Sequence, residues 1–150
     1  MSSLEQVQSL LKEFGEQHGI GDFALDEAGT LTLGLDGVLY AFQHNDALGT
    51  LVSMAGIGKV PEEARAAVFG QLLAANLFWG ETGGCTLAWE PAEETVVMQY
   101  SQPVDGLDAV CFAGIFDGLR AMAGEWRDRL RQWVEAELEG PSLEEYINSL

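Results

Sequence analysis

Positive charge is scarce in this sequence of 150 residues, which has seven lysines and arginines against 24 aspartates and glutamates. The formal net charge is −17 at pH 7 with histidine neutral, and so acidic a surface repels the phosphates of nucleic acids. Arg127, Arg129 and Arg131 form the only basic cluster in the sequence. Anionic membrane surfaces are disfavoured for the same reason, so the composition argues against both nucleic acid and membrane as partners.

Cysteine and histidine are also rare, with two residues of each. Cys85 and Cys111 lie 26 positions apart, without the further thiols or nearby histidines that a zinc site or a disulfide framework would need. His18 and His44 have no serine or cysteine that the sequence can place beside them for nucleophilic catalysis. We therefore expect two reduced, mostly buried cysteines, as in a cytosolic protein, and neither a metal nor a cofactor.

Long hydrophobic runs are missing as well. The longest uncharged stretch, residues 66–80, contains Gln71 and Asn76 and is too short to span a bilayer. Glu5 and Lys12 interrupt the segment in which a signal peptide would carry its apolar core. We expect a soluble cytosolic chain, whose length suits one domain with a substantial core.

The motifs of enzymes do not occur in a usable form. The segment GIGK at residues 56–59 is similar to the end of a phosphate-binding loop, but Ser53 stands where that loop needs its first glycine. Val60 stands where the loop needs serine or threonine. The glutamates of residues 90–94 fall on a predicted turn, where carboxylates are normally solvated. We therefore expect no catalytic residues and no enzymatic activity.

Helical periodicity marks both ends of the chain. Ser2 and Glu5 form a capping-box pattern, which predicts a helix over residues 3–18. A long final helix should begin near Leu107. Its apolar stripe, with alternating spacings of four and three, consists of Phe112, Phe116, Leu119, Ala123, Trp126, Leu130 and Trp133.

Between these helices the apolar residues alternate, which predicts short strands with tight, hence antiparallel, connections. Asp36-Gly37 is a strong hairpin signal, and Pro61 suits the first turn of a helix over residues 61–77. The strands are expected at residues 31–35, 38–43, 48–55, 85–90 and 95–101, and residues 23–25 would add one more.

The predicted fold class is therefore α+β, with two layers: an antiparallel twisted sheet of about five strands and three helices, in the order α-β-β-β-(β)-α-β-β-α. Residues 1–139 form a single domain, and residues 140–150 form an acidic tail. In that tail Leu143, Tyr146, Ile147 and Leu150 share one helical face. We expect either that this face covers an apolar patch until a partner binds, or that the tail is a disordered solubilising segment.

The helix predicted over residues 61–77 has apolar residues on two sides. Val68 and Leu72 lie on one side, and Phe69, Leu73 and Asn76 lie on another. One side can cover the sheet of its own subunit, but the other needs a partner. We therefore predict a two-fold symmetric homodimer whose interface these five residues form.

Four segments carry a family resemblance: LLAANL at residues 72–77, GGCTLAW at 83–89, VVMQY at 96–100 and PVDGLD at 103–108. With the order of the elements, the leucine-rich first helix and the low isoelectric point, the chain resembles the class I type III secretion chaperones of Gram-negative bacteria, the family typified by the Tir chaperone. The resemblance covers residues 3–133.

This resemblance implies a homodimer in the bacterial cytoplasm, without enzymatic activity or cofactor. Such a chaperone binds the amino-terminal region of a secreted effector in extended form, keeps it competent for secretion and presents it to the secretion ATPase. An extended client gains backbone hydrogen bonds at a sheet edge and places its apolar side chains in surface pockets.

We expect the client to contact the first helix and the segment that follows it, or else that most of this apolar stripe covers only its own subunit. The predicted contact residues are Leu4, Val7, Leu11, Phe14, Phe23 and Leu25. Two other functions remain open: a small adaptor of the YbjN type, which has the same architecture and no secretion role, and an enzyme or small-ligand binder.

Overall fold

The computed structural model describes residues 1–140 and 147–150, which form three helices and one five-stranded sheet. The helices are α1 (Ser3–His18), α2 (Arg65–Ala75) and α3 (Ala109–Glu139), and short 3-10 turns at Glu62–Ala64 and Leu77–Trp79 flank α2. The strands are β1 (Thr30–Leu35), β2 (Val38–Asn45), β3 (Thr50–Lys59), β4 (Thr86–Glu90) and β5 (Thr95–Pro103). The predicted α+β fold with an antiparallel sheet is confirmed.

The sheet has the strand order β1-β2-β3-β5-β4, and every neighbouring pair is antiparallel. Asp36 and Gly37 form the first turn with φ angles of 53° and 77°, as a two-residue type I′ turn requires. The chain leaves the sheet through α2 and returns in β4, and β5 then lies between β4 and β3. This path leaves β1 and β4 as the two edge strands.

The core lies between the sheet and the pair α1 and α3, which pack on the same face. Phe14 of α1 and Phe42 of β2 both contact Phe112 of α3, with ring centres 5.0 Å and 5.3 Å from that of Phe112. The apolar stripe predicted for α3 is buried from Phe112 to Leu130. These aromatic contacts hold the long helix across the sheet.

The helices α1 and α3 begin at side-chain caps. The N–H of Glu5 donates to Ser2 Oγ at 3.1 Å, and α1 ends at Gly19, whose φ of 69° is the left-handed conformation of a helix stop. The N–H of Cys111 donates to a carboxylate oxygen of Asp108 at 2.8 Å. Asp108 is therefore the N-cap of α3, which begins at Ala109, close to the predicted start near Leu107. The hydrogen bond from Cys111 lowers the pKa of Asp108.

The additional strand at residues 23–25 is not formed, because a side chain takes the place of a neighbouring strand. The N–H of Leu25 donates to Gln8 Oε1 at 2.9 Å, and Gln8 Nε2 donates to the Leu25 carbonyl at 3.0 Å. Asp22, with a φ of 52°, also turns the chain away from an extended path. Phe23 and Leu25 are nevertheless buried in the core.

The acidic tail begins where α3 ends, at Glu139. Of the tail residues predicted to share one face, Leu143 and Tyr146 lie outside the described residues, and Ile147 and Leu150 are exposed. The covering role of the tail therefore stays a prediction.

The double hydrogen bond of Gln8 gives a stability prediction. Gln8→Ala should lower the free energy of unfolding by about 1–3 kcal/mol, because it leaves the N–H and C=O of the buried Leu25 without partners. Urea denaturation measures this change. Gln6→Ala is the matched control, since Gln6 lies on the same helix and only donates to the carbonyl of Met1 at 3.3 Å. Equal unfolding midpoints for both variants would contradict the prediction.

Candidate functional site

The structure divides the two apolar sides of α2 between the core and the surface. Val68 and Leu72 are buried within their own chain. Phe69 and Asn76 are half-buried, and Leu73 is 71% exposed. Of the five residues predicted for a dimer interface, three are thus accessible to a partner and two support them from below.

A larger apolar surface continues from α2 into the 3-10 turn that follows. Leu77 is 69% exposed, Phe78 87% and Trp79 53%. A cleft of about 180 Å³ lies between α2 and β4 and reaches Asn76, the residue before this turn. We call the whole region the α2–β4 surface; it comprises Phe69, Leu72, Leu73, Asn76, Leu77, Phe78, Trp79, Leu87, Ala88 and Trp89.

Asn76 caps the free edge of β4 at Leu87. The N–H of Leu87 donates to Asn76 Oδ1 at 2.8 Å, and Asn76 Nδ2 donates to the Leu87 carbonyl at 3.0 Å. Thr82 binds Cys85, the residue before β4, in a similar way. The Thr82 carbonyl accepts from the N–H of Cys85, and the Thr82 hydroxyl donates to the Cys85 carbonyl. These bonds occupy backbone groups that another strand would need for pairing.

The edge of β1 has more unpaired backbone groups. A two-residue turn makes Leu35 and Val38 a hydrogen-bonded pair, so every second residue of β1 bonds to β2. Thr30, Thr32 and Gly34 are the alternate residues, and they direct their N–H and C=O groups away from β2.

Asp26 closes only the first of these outward positions. The N–H of Thr30 donates to Asp26 Oδ1 at 3.0 Å, and the N–H of Asp26 donates to the Thr30 carbonyl at 2.9 Å. Thr32 and Gly34 are exposed, and within the described residues their outward backbone groups have no partner. The β4 edge is therefore capped at Cys85 and Leu87 but not at Trp89, and the β1 edge is capped at Thr30 alone.

The residues predicted to contact a client lie mostly beneath the surface. Leu4 is 42% exposed and follows Ser3, whose Oγ lies 2.8 Å from His44 Nε2 at the end of β2. The other five are buried in the core of their own chain, because the stripe of α1 packs on α3 and the sheet: Val7, Leu11, Phe14, Phe23 and Leu25.

The two thiols differ in environment. Cys85 is buried, and desolvation raises its pKa, which keeps it protonated and unreactive at neutral pH. Cys111 is exposed and lines a cavity with Cys85 and Tyr100, so the expectation that both cysteines are mostly buried is wrong for this residue. Neither forms a disulfide.

The described ranges, 1–140 and 147–150, hold neither a metal site nor a membrane-spanning helix. No three His, Cys, Asp or Glu side chains there converge to hold a metal ion. None of the helices in this part of the chain is long and apolar enough to cross a membrane. Besides the α2–β4 surface and the edge of β1, a cavity of about 660 Å³ lies beside α3, lined by residues that include Cys85, Cys111 and Met122.

A family comparison agrees with the architecture. Residues 9–127 match the Tir chaperone protein (CesT) family, which is most of the chain. The chain therefore belongs to the Tir chaperone protein family. This confirms the family that its sequence segments resemble.

Several solved structures have the same fold. A chain of the ExsC–ExsE complex is similar with a TM-score of 0.78 and 22% identity, over 87% of this chain and 97% of that one. A chain of the HopA1–SchA chaperone–effector complex has a TM-score of 0.68 and 16% identity, over 84% and 96%. A chain of the ExoU–SpcU complex from the type III secretion system of Pseudomonas aeruginosa has a TM-score of 0.58 and 21% identity, over 86% and 98%. No curated protein sequence matches this chain.

The cap that Asn76 forms on β4 at Leu87 gives a second stability prediction. Asn76→Ala should lower the free energy of unfolding by about 1–3 kcal/mol, because the N–H and C=O of the buried Leu87 lose their partner. Thermal and urea denaturation measure the loss. Gln71→Ala, an exposed site on the same helix, should change stability by less than about 0.5 kcal/mol. A similar small effect for both variants would show that the cap is dispensable.

Proposed function

We propose that this chain is a cytoplasmic chaperone of type III secretion that binds the amino-terminal segment of a secreted effector in extended form. It keeps this client competent for secretion and presents it to the secretion ATPase, without catalysis or a cofactor. Membership of the Tir chaperone protein family supports the function. The observation that carries the binding mode is the open edge of β1.

The related structures support an effector as the partner. HopA1–SchA is a chaperone–effector complex, and ExoU–SpcU belongs to a type III secretion system. The family match favours this function over the YbjN-type adaptor and the small-ligand binder that the sequence left open.

The β1 edge suits an extended client on two counts. Thr32 and Gly34 offer two sets of unpaired backbone groups to an added strand. Leu31, Leu33 and Leu35 alternate with them, are half-buried and face the core side of the sheet. A client strand would therefore gain backbone hydrogen bonds and cover apolar side chains at the same time.

Leu4 is the proposed contact on α1 among the residues predicted from the sequence, since it is exposed near the end of β2. The buried members of that set serve as the support beneath the site. A pre-formed site matters because ordering a disordered client costs free energy, which the contacts must offset.

The α2–β4 surface is proposed as the interface of a homodimer. Residues 66–80 carry no charge, whereas the whole chain has a net charge of −17. Two copies of so acidic a chain repel each other in most relative orientations. Contact through an uncharged apolar face reduces that repulsion. Phe69, Leu73 and Asn76 lie on this face, with Val68 and Leu72 behind them.

Gly34→Pro tests the binding mode. Proline removes the outward N–H at residue 34 and blocks strand addition, while an edge strand tolerates it because this N–H does not bond to β2. We expect client affinity to fall at least tenfold, a loss of about 1.4 kcal/mol or more. The client is first captured from the source bacterium under secretion-inducing conditions and identified by mass spectrometry. Its isolated amino-terminal segment is then titrated by calorimetry.

Gly34→Ala is the matched control, because a Cβ at residue 34 meets no other atom within 4 Å. It should bind the client as the wild type does, and the amides of Thr32 and Gly34 should gain protection from hydrogen exchange in the wild-type complex. Equal affinity of the alanine and proline variants would contradict binding at the β1 edge. Capture of a metabolite, or of a protein that is never secreted, would contradict the chaperone function itself.

Phe69→Asp tests the homodimer. A carboxylate on the α2–β4 surface of each copy should convert the dimer into monomers, because desolvating it costs more than the contact provides. Light scattering at micromolar concentration measures the mass. Leu48→Asp, in an exposed turn between β2 and β3, adds the same charge elsewhere and should leave the dimer intact. A monomeric wild-type chain at this concentration would rule out the dimer.

A further inference from the structure

We propose that Phe78 is a reciprocal anchor of the homodimer: its ring inserts into the α2–β4 cleft of a second copy of the chain. This inference rests on the proposed dimer and adds its mode of contact. It follows from three observations on the turn Leu77–Trp79: an unusual backbone, a set of hydrogen bonds that fixes it, and an apolar cleft lined by Asn76, the residue before the turn.

The backbone of this turn is strained in order to expose an aromatic ring. Phe78 and Trp79 have φ angles of 58° and 55°, in the left-handed region that bulky side chains disfavour. Phe78 is 87% exposed, so its ring gains almost no contact within its own chain. Strain of this kind persists at sites where it serves a function.

Hydrogen bonds on both sides hold the turn in place. Asn76, which precedes it, is fixed by its two bonds to Leu87. Trp79 Nε1 donates to Thr86 Oγ1 at 3.2 Å, and the Trp79 carbonyl accepts from the N–H of Gly84 at 3.1 Å. Phe78 is thus presented on a braced segment, so little conformational entropy is lost when its ring is bound.

The cleft beside the turn offers an apolar receptor for such a ring. It lies between α2 and β4, and Phe69, Leu73 and Trp89 form much of its lining. The rings of Phe69 and Trp89 have centres 4.8 Å apart, and the Arg65 guanidinium lies over the Trp89 ring, 5.0 Å from its centre. Phe69 and Leu73 therefore offer the apolar contacts for a third ring. Asn76, the polar group at this cleft, already has both its amide atoms bonded to Leu87.

A two-fold axis relates these features without further assumptions. In an isologous dimer one surface must carry both the projecting group and its receptor, and the α2–β4 surface carries both. Charge favours a second copy as the occupant, because residues 66–80 are uncharged in a chain of net charge −17. Arg65, at the border of the cleft, is already paired with Glu94 at 3.4 Å.

Phe78→Ala gives the first test, with the dimer dissociation constant measured by sedimentation velocity over a dilution series. An aromatic anchor at the centre of an interface should raise this constant at least about 30-fold when it is truncated. Leu48→Ala, at a site 73% exposed on the β2–β3 turn, is the control and should leave it unchanged. A Phe78→Ala dissociation constant within threefold of the wild type overturns the inference.

Phe78→Gly gives a second test. The substitution should raise Tm if Phe78 is an exposed anchor and lower Tm if Phe78 is a core residue. In the monomeric Phe69→Asp background, glycine relieves the positive φ and should raise Tm by about 2–4 °C. A lower Tm would mean that the ring stabilises its own chain, which overturns the inference.

The two proposals fail in different ways. A wild-type dimer with an unchanged Phe78→Ala variant leaves the homodimer standing and removes the anchor. A wild-type chain that stays monomeric removes both.

Discussion

An open β-sheet has two edges whose unpaired backbone groups can recruit another strand, and this constraint organises the molecule. The fold caps the β4 edge at Leu87 and Cys85 through Asn76 and Thr82. The other edge stays open at Thr32 and Gly34. The β1 edge thus has two uncapped outward residues, which is the structural basis of the proposed strand binding.

Net charge sets the second constraint. With 24 acidic and seven basic residues, the chain repels copies of itself over most of its surface. Apolar groups can therefore stay exposed without general aggregation, provided that the faces carrying them are few. The uncharged face of α2 and the leucine-flanked edge of β1 are two such faces, and they lie at opposite ends of the strand order. The proposed dimer interface and the proposed client site are therefore different surfaces.

Much of the fold could be predicted from local patterns. The capping box at Ser2 and Glu5, the turn at Asp36-Gly37 and the stripe of α3 each act through neighbours in sequence, and each prediction holds. The strand at residues 23–25 failed because its pairing groups go to Gln8, a contact across 17 positions that no periodicity reveals.

The candidate site was harder to predict for the same reason. The stripe of α1 was a correct sign of an apolar face, but periodicity cannot tell whether that face meets the core or a partner. In the structure Val7, Leu11 and Phe14 are buried against α3 and the sheet. The open edge depends on which strands are outermost in the sheet. The turn that holds Phe78 and Trp79 at positive φ is bonded to β4 through Trp79 Nε1 and Thr86 Oγ1. These are consequences of topology, which single-sequence patterns do not encode.

Burial of the predicted contact residues changes what selectivity the site can have. If side chains of α1 made most contacts with the client, only a narrow range of client sequences could bind. An edge strand offers mostly N–H and C=O groups, which every residue except proline can match, so recognition by hydrogen bonding is tolerant of sequence. Selectivity then falls to the alternate positions that meet Leu31, Leu33 and Leu35, where apolar client side chains fit and charged ones do not. The proposed binding mode therefore requires a client segment that alternates apolar and polar residues and is unfolded when it arrives, because only an unpaired strand can pair its backbone with β1.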